Sequence, residues 1–230
     1  MEDLMRILMI TTSHDQMGDT GHKTGIWLEE LAAPYFRFID AGATITLASP
    51  KGGKPPLDPN SLVPDALTEA TERFEKDDAA KQAFESTVTL DGLRADDFDA
   101  LFYPGGHGPL WDLATDAKSI ALIEAFSAQN KPVAAVCHGP AALVNAKTAD
   151  GKPLVAGKRV TGFTNDEEKA VGLEKVVPLS IEDEFKKQGG SYERGEMWAP
   201  FAVVDGKLVT GQNPASSDAT ADEIIKLLSA

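Results

Sequence analysis

Hydrophobic residues recur in two rhythms along this chain: short unbroken runs, and longer stretches with helical spacing. The first run, residues 6–12, is β-rich and ends in the polar residues Thr12-Ser13-His14-Asp15, which predicts a buried strand. A helix is expected over about 25–41, where Leu28, Leu31, Ala32, Tyr35 and Ile39 repeat at helical spacing and Gly42 supplies the stop. Pro34 lies inside that pattern and should kink it. A second strand follows at 44–48. Residues 54–86 read as a Pro-rich loop and then polar helices, an excursion from the main sheet. The apolar run 100–103 breaks at Pro104-Gly105-Gly106-His107-Gly108. A helix over about 116–128 leads to a short strand at 132–136, after which Cys137-His138-Gly139-Pro140 opens a helix ending near Asn145. Two apolar runs around Asp205-Gly206 predict a hairpin, and a final helix from about Ala215 has Ser216 or Ser217 as candidate cap.

Strands alternating with helices imply an α/β fold: a mostly parallel sheet covered on both faces, with ligands bound beyond the carboxyl ends of its strands. No internal repeat, low-complexity stretch or long linker interrupts residues 1–230, so one domain is the economical reading.

Composition narrows the function. A net charge of −14 argues against a nucleic-acid partner, because a phosphate backbone must be met by Lys and Arg. One cysteine permits no intrachain disulfide and fits a reducing compartment. The apolar run in residues 1–12 is too short for a signal segment, and no stretch approaches the roughly 18 apolar residues of a membrane span. The expectation is a cytoplasmic protein.

The cysteine then becomes the centre of interest. A short strand leading into Cys137-His138-Gly139-Pro140 resembles a nucleophile elbow, in which a tight turn lifts a side chain above the sheet. Free amides and the dipole of the following helix would stabilise a thiolate and lower its pKa. Gly139 would let the backbone approach a ligand, and Pro140 suits an early helical position. Gly105, Gly106 and His107 follow a strand too, so their backbone N–H groups could face a developing oxyanion. His138 adjoins the cysteine and serves either as a base or in packing. With no histidine after 138, the papain arrangement does not fit. Glu29 and Glu30 both fall at the margins of their helix's apolar stripe, and periodicity does not choose between them. Asp166, Glu167 and Glu168 open another helix, where acids usually answer the dipole and one could instead orient His138. His14, Asp19 and His22 lack a convincing metal-ligand spacing, and no GxGxxG or Walker motif is present.

Ala134-Ala135-Val136-Cys137-His138-Gly139-Pro140, with Tyr103-Pro104-Gly105-Gly106-His107-Gly108 upstream, resembles the ThiJ/PfpI superfamily. Lys23-Thr24-Gly25, the segment 157–164 and Gly211-Gln212-Asn213-Pro214-Ala215-Ser216 extend the resemblance over nearly the whole chain. The resemblance implies a flavodoxin-like, class I glutamine amidotransferase-like three-layer fold, and within it the glyoxalase III and stress-chaperone branch. It places the nucleophile on Cys137, its histidine on His138, the third acid on Glu168 and the glutamate that meets the cysteine on Glu30. It gives oxyanion donors at the amides of Gly106 and His138. The absent downstream histidine sets the chain apart from true glutamine amidotransferases, and the extra metal-binding domain of larger chaperone relatives is not evident.

What the resemblance implies is conversion of methylglyoxal to lactate without glutathione, needing no cofactor or metal, by a cytoplasmic homodimer. Reversal of early glycation adducts on proteins would use the same thiolate. Alternatives are a holdase chaperone for unfolded proteins, a redox sensor in which Cys137 is oxidised, and a small peptidase.

Overall fold

A computed structural model describes residues 5–230; the acidic start of the chain lies outside the described residues. Among these, a sheet of six strands has the order β2-β1-β3-β4-β8-β7. The strands are β1 (Arg6–Ile10), β2 (Thr44–Ala48), β3 (Ala100–Tyr103), β4 (Val133–Val136) and, after the small parallel pair β5 (Arg159–Val160) and β6 (Ser191–Tyr192), β7 (Ala202–Asp205) and β8 (Leu208–Gly211). Pairing is parallel throughout the larger sheet except for the β7–β8 hairpin around Asp205-Gly206. The helices are α1 (Leu28–Asp40), α2 (Glu69–Lys76), α3 (Asp78–Glu85), α4 (Ala117–Ala128), α5 (Asn165–Ala170), α6 (Ile181–Lys187) and α7 (Ser217–Ser229).

The unbroken apolar runs follow from burial of both sheet faces. Successive strand residues point to opposite sides, so Ile7, Met9, Phe102, Ala134 and Val136 meet α1, α7 and the excursion helices α2 and α3. Leu8, Ile10, Leu101, Tyr103 and Val133 meet α4 and the segment after β4. The result is an α/β three-layer architecture with a mostly parallel central sheet. Each large side chain buried this way contributes roughly 1.5–3 kcal/mol relative to exposure.

Three local expectations change. The chain after Cys137 forms a 3-10 helix of five residues, Gly139–Leu143, rather than an α-helix reaching Asn145. It is wholly buried against β3 and α4, and tertiary packing overrides its alanine-rich propensity. Within α1, Phe38 takes the buried position and Ile39 is 38% exposed; the helix continues past Pro34. Neither Ser216 nor Ser217 caps α7 through its side chain, because Ser216 Oγ is committed to Asn213 and Phe201 and Ser217 Oγ to the Pro214 carbonyl. No helix is long and apolar enough to cross a membrane among the described residues.

Candidate active site

Three segments converge at the carboxyl ends of β3 and β4: the start of α1, the glycine turn after β3 and the turn after β4. Because β1 connects outward to β2 on one side while β3 lies on its other side, the strand order reverses between β1 and β3, next to these segments.

Cys137 sits at φ 60°, a left-handed conformation that a cysteine seldom adopts. Two hydrogen bonds hold it there: its N–H donates to the Gly211 carbonyl at 3.0 Å, and its carbonyl accepts from Phe163 N–H at 2.8 Å. The strained turn sets the sulfur between Glu30 and His138, as in a nucleophile elbow. A Cβ at Gly139 would lie 2.3 Å from the Tyr103 carbonyl oxygen, so close packing against β3 by itself requires a glycine there.

Glu30 is the acid of its pair that turns inward. It is fully buried, whereas half-buried Glu29 accepts the Thr68 hydroxyl. The Glu30 carboxyl lies against the Cys137 thiol and the amides of Gly105 and Gly106, without a hydrogen bond of ordinary geometry on either oxygen. Burial drives its pKa well above the carboxylate range. Gly105 leaves the space, since a Cβ would stand 2.3 Å from Glu30 Oε2 and 2.8 Å from the His138 amide nitrogen. Gly106 adopts φ 87° and packs against the backbone of Gly25 and Trp27.

The expected fall in the cysteine pKa is reversed. Cys137 is only 3% exposed, and burial, then Glu30, then Glu167 and Glu168, push its thiol upward. The short 3-10 helix brings too few aligned peptides to oppose this. Burial thus favours the protonated form of both neighbours, Glu30 and Cys137.

On the other side of the sulfur, His138 Nδ1 is 3.4 Å from Cys137 Sγ, and its Nε2 is 2.6 Å from Glu168 Oε2. The second oxygen of Glu168 meets His107 Nε2 at 2.7 Å, and the imidazole rings lie 3.9 Å apart between centroids. The two histidines hold Glu168 well below the usual carboxylate range against the opposing effect of burial. Burial, then His107, lowers the pKa of His138. Phe163 packs on His138 at 4.3 Å and Trp198 on Phe163 at 5.7 Å. Phe163 and Glu168 also line a cavity of about 480 Å³ with Lys169, Val177, Leu179 and Ile181.

The acids of α5 have separate partners. Asp166 pairs with Arg194 at the surface. Glu167 is fully buried; it closes a capping box with Thr164 and accepts from Trp198 N, Gln212 Nε2 and Asn213 Nδ2. The sequence reading did not find Glu167's anchoring role or the His107 imidazole's place beside Glu168. The signal for His107 was topological: both histidines follow the carboxyl ends of adjacent parallel strands. His107, His138 and Glu168 also bring ligating atoms within 4.8 Å of one another, a spacing open to a metal ion, although hydrogen bonds already occupy both carboxylate oxygens. This cluster is distinct from the His14, Asp19 and His22 set.

The profile of the DJ-1/PfpI family matches residues 23–227. A glutathione-independent glyoxalase of Saccharomyces cerevisiae is 35% identical, covering 96% of this chain and 97% of its own. Among solved structures, the Rapid Encystment Protein of Francisella tularensis superposes with a TM-score of 0.93 at 38% identity, covering 98% and 99%. Glyoxalase III of Candida albicans superposes with a TM-score of 0.90 at 31% identity, covering 97% of both chains.

Proposed function

The chain belongs to the DJ-1/PfpI family, and from that premise we propose that it is a glutathione-independent glyoxalase turning methylglyoxal into lactate. One observation carries the reading: a wholly buried carboxyl, with no hydrogen bond of ordinary geometry, set against a buried thiol. Isomerising a 2-oxoaldehyde requires a proton to move between adjacent carbons without escaping to water, and this pair suits that task.

On this reading the Cys137 thiol adds across the aldehyde carbonyl, sulfur to carbon and its proton to oxygen, to give a hemithioacetal. Glu30 gives its own proton to the ketone oxygen and, now a carboxylate, removes the hydrogen from the first carbon, forming an enediol. It then returns that hydrogen to the neighbouring carbon and takes back the proton of the first carbon's hydroxyl. The product is a lactoyl thioester on Cys137, which water hydrolyses to lactate and free thiol. The oxyanions face the amides of Gly106 and His138, within the turn shaped by Gly105 and His107. His138, oriented by Glu168 at 2.6 Å, sets the charge on the sulfur. The resemblance extends the reading to a homodimer in the cytoplasm, which sedimentation and cell fractionation would check.

The test is incubation of the pure protein with methylglyoxal, without glutathione, and assay for lactate. Cys137→Ser should form none while keeping its fold. Glu30→Gln should keep a thiol that alkylating agents label but lose lactate formation. Lactate made by Cys137→Ser at the original rate would rule out the covalent route.

A further inference from the structure

Glu168 shares its two oxygens between two imidazoles, and the consequences differ for each. Held ionised, a carboxylate only accepts hydrogen bonds, so both rings carry their proton on Nε2 and present a lone pair at Nδ1. In His138 that lone pair is spent: Nδ1 lies against Cys137 Sγ at 3.4 Å and the side chain is 1% exposed. No water can reach a free nitrogen of that ring. His107 is the opposite case. Its side chain is 11% exposed, and Nδ1 has no protein partner among the described residues. Its ring is stacked 3.9 Å from the imidazole that touches the sulfur.

We propose that His107 is the general base for hydrolysis of the Cys137 acyl intermediate, and that His138, committed to the sulfur, does not serve in that step. The inference rests on the glyoxalase reading for the identity of the acyl group. In this step water oxygen bonds to the thioester carbonyl carbon while one water proton passes to His107 Nδ1. The tetrahedral species collapses, the C–S bond breaks and the electron pair returns to sulfur. The proton held by His107 goes back through solvent to the thiolate, and the carboxylic acid product gives its own proton to solvent. Glu168 supports the positive charge on His107 through the 2.7 Å contact. The division of labour is simple: Glu30 and Cys137 make the thioester, and His107 clears it.

His107→Gln tests this directly, because an amide N–H can replace the Nε2 donor to Glu168 while no base remains at the Nδ1 position. General base catalysis is typically worth 10²–10⁴-fold, so turnover should fall by about 100-fold or more. The enzyme should pile up as acyl-Cys137, trapped by hydroxylamine as the hydroxamate, which a hemithioacetal does not yield. His107→Ala should behave no better. Recovery of turnover by Gln but not by Ala would reduce His107 to a positioning residue and overturn the proposal. So would lost turnover in His107→Gln with no trapped acyl group while Cys137 remains open to alkylation. p-Nitrophenyl acetate separates this result from the glyoxalase reading. If wild type makes no lactate but His107→Gln still slows deacetylation of Cys137, the base assignment stands and the aldehyde substrate falls.

Discussion

Glu30 pays for its position. A carboxyl sealed beside a sulfur has a folded pKa above the ordinary Glu value of about 4.3, so its proton is retained where the unfolded chain would release it. The sign follows: the folded state has its full stability below that value and loses some as pH rises toward the folded pKa. Glu30→Gln, which cannot titrate, should therefore be indistinguishable from wild type in acid and more stable at neutral pH. The gap should open by up to ~1.4 kcal/mol per pH unit across the window. Thermal melts of the two proteins at several pH values check this, and a gap that closes with rising pH would contradict it. A variant that is firmer and inactive would mark this carboxyl as kept for chemistry. Glu29, one position earlier, has no such role, yet the two are indistinguishable in the periodic pattern. Helical phase gives the face to within a residue; which neighbour enters the cleft depends on the space beside Gly105.

At the level of elements, the turn after β4 is fixed by what surrounds it. Gly139→Ala would drive a methyl to within 2.3 Å of the Tyr103 carbonyl, and β3 and β4 are paired too closely to separate. Overpacking of this kind costs about 1–3 kcal/mol. The variant should melt at lower temperature and lose lactate formation, since the same displacement moves Cys137. Full activity in Gly139→Ala would show that the contact is soft. The strands of the larger sheet were legible because their apolar runs are continuous and polar residues, Gly or Pro mark their ends, whereas the two-residue strands β5 and β6 are too short to leave a pattern. The helix after Cys137 was not, since its alanines favour an α-helix and only the surrounding core holds them in the tighter coil. The acids of α5 share one sequence signal, an acidic first turn. Their three different partners lie on segments that the chain brings together only in three dimensions.

Over the whole molecule, 36 acidic residues against 22 basic ones oppose non-specific clumping at neutral pH. Lowering the pH toward the isoelectric point near 4.7 removes that repulsion. Light scattering should rise as the pH approaches this value and fall again when salt-free buffer at pH 7 is restored. Scattering that stays flat through this range would point to solubility set by something other than charge. Net charge was readable at once from composition. The fold was readable from the alternation of runs and helical stretches, and the cysteine from its place at a strand end. What needed three dimensions was the meeting of His107, from the end of β3, with Glu168, from α5.

The hydrogen bond from Cys137 N–H to the Gly211 carbonyl has a consequence for the order of events during synthesis. The ribosome releases the sulfur long before it makes β8, the strand that flanks β4 and clamps the elbow. A growing or prematurely terminated polypeptide thus carries the thiol without the turn that sharpens it. The clamped elbow is among the last features this molecule acquires, and a fragment abandoned before β8 carries an ordinary thiol in place of one held against Glu30.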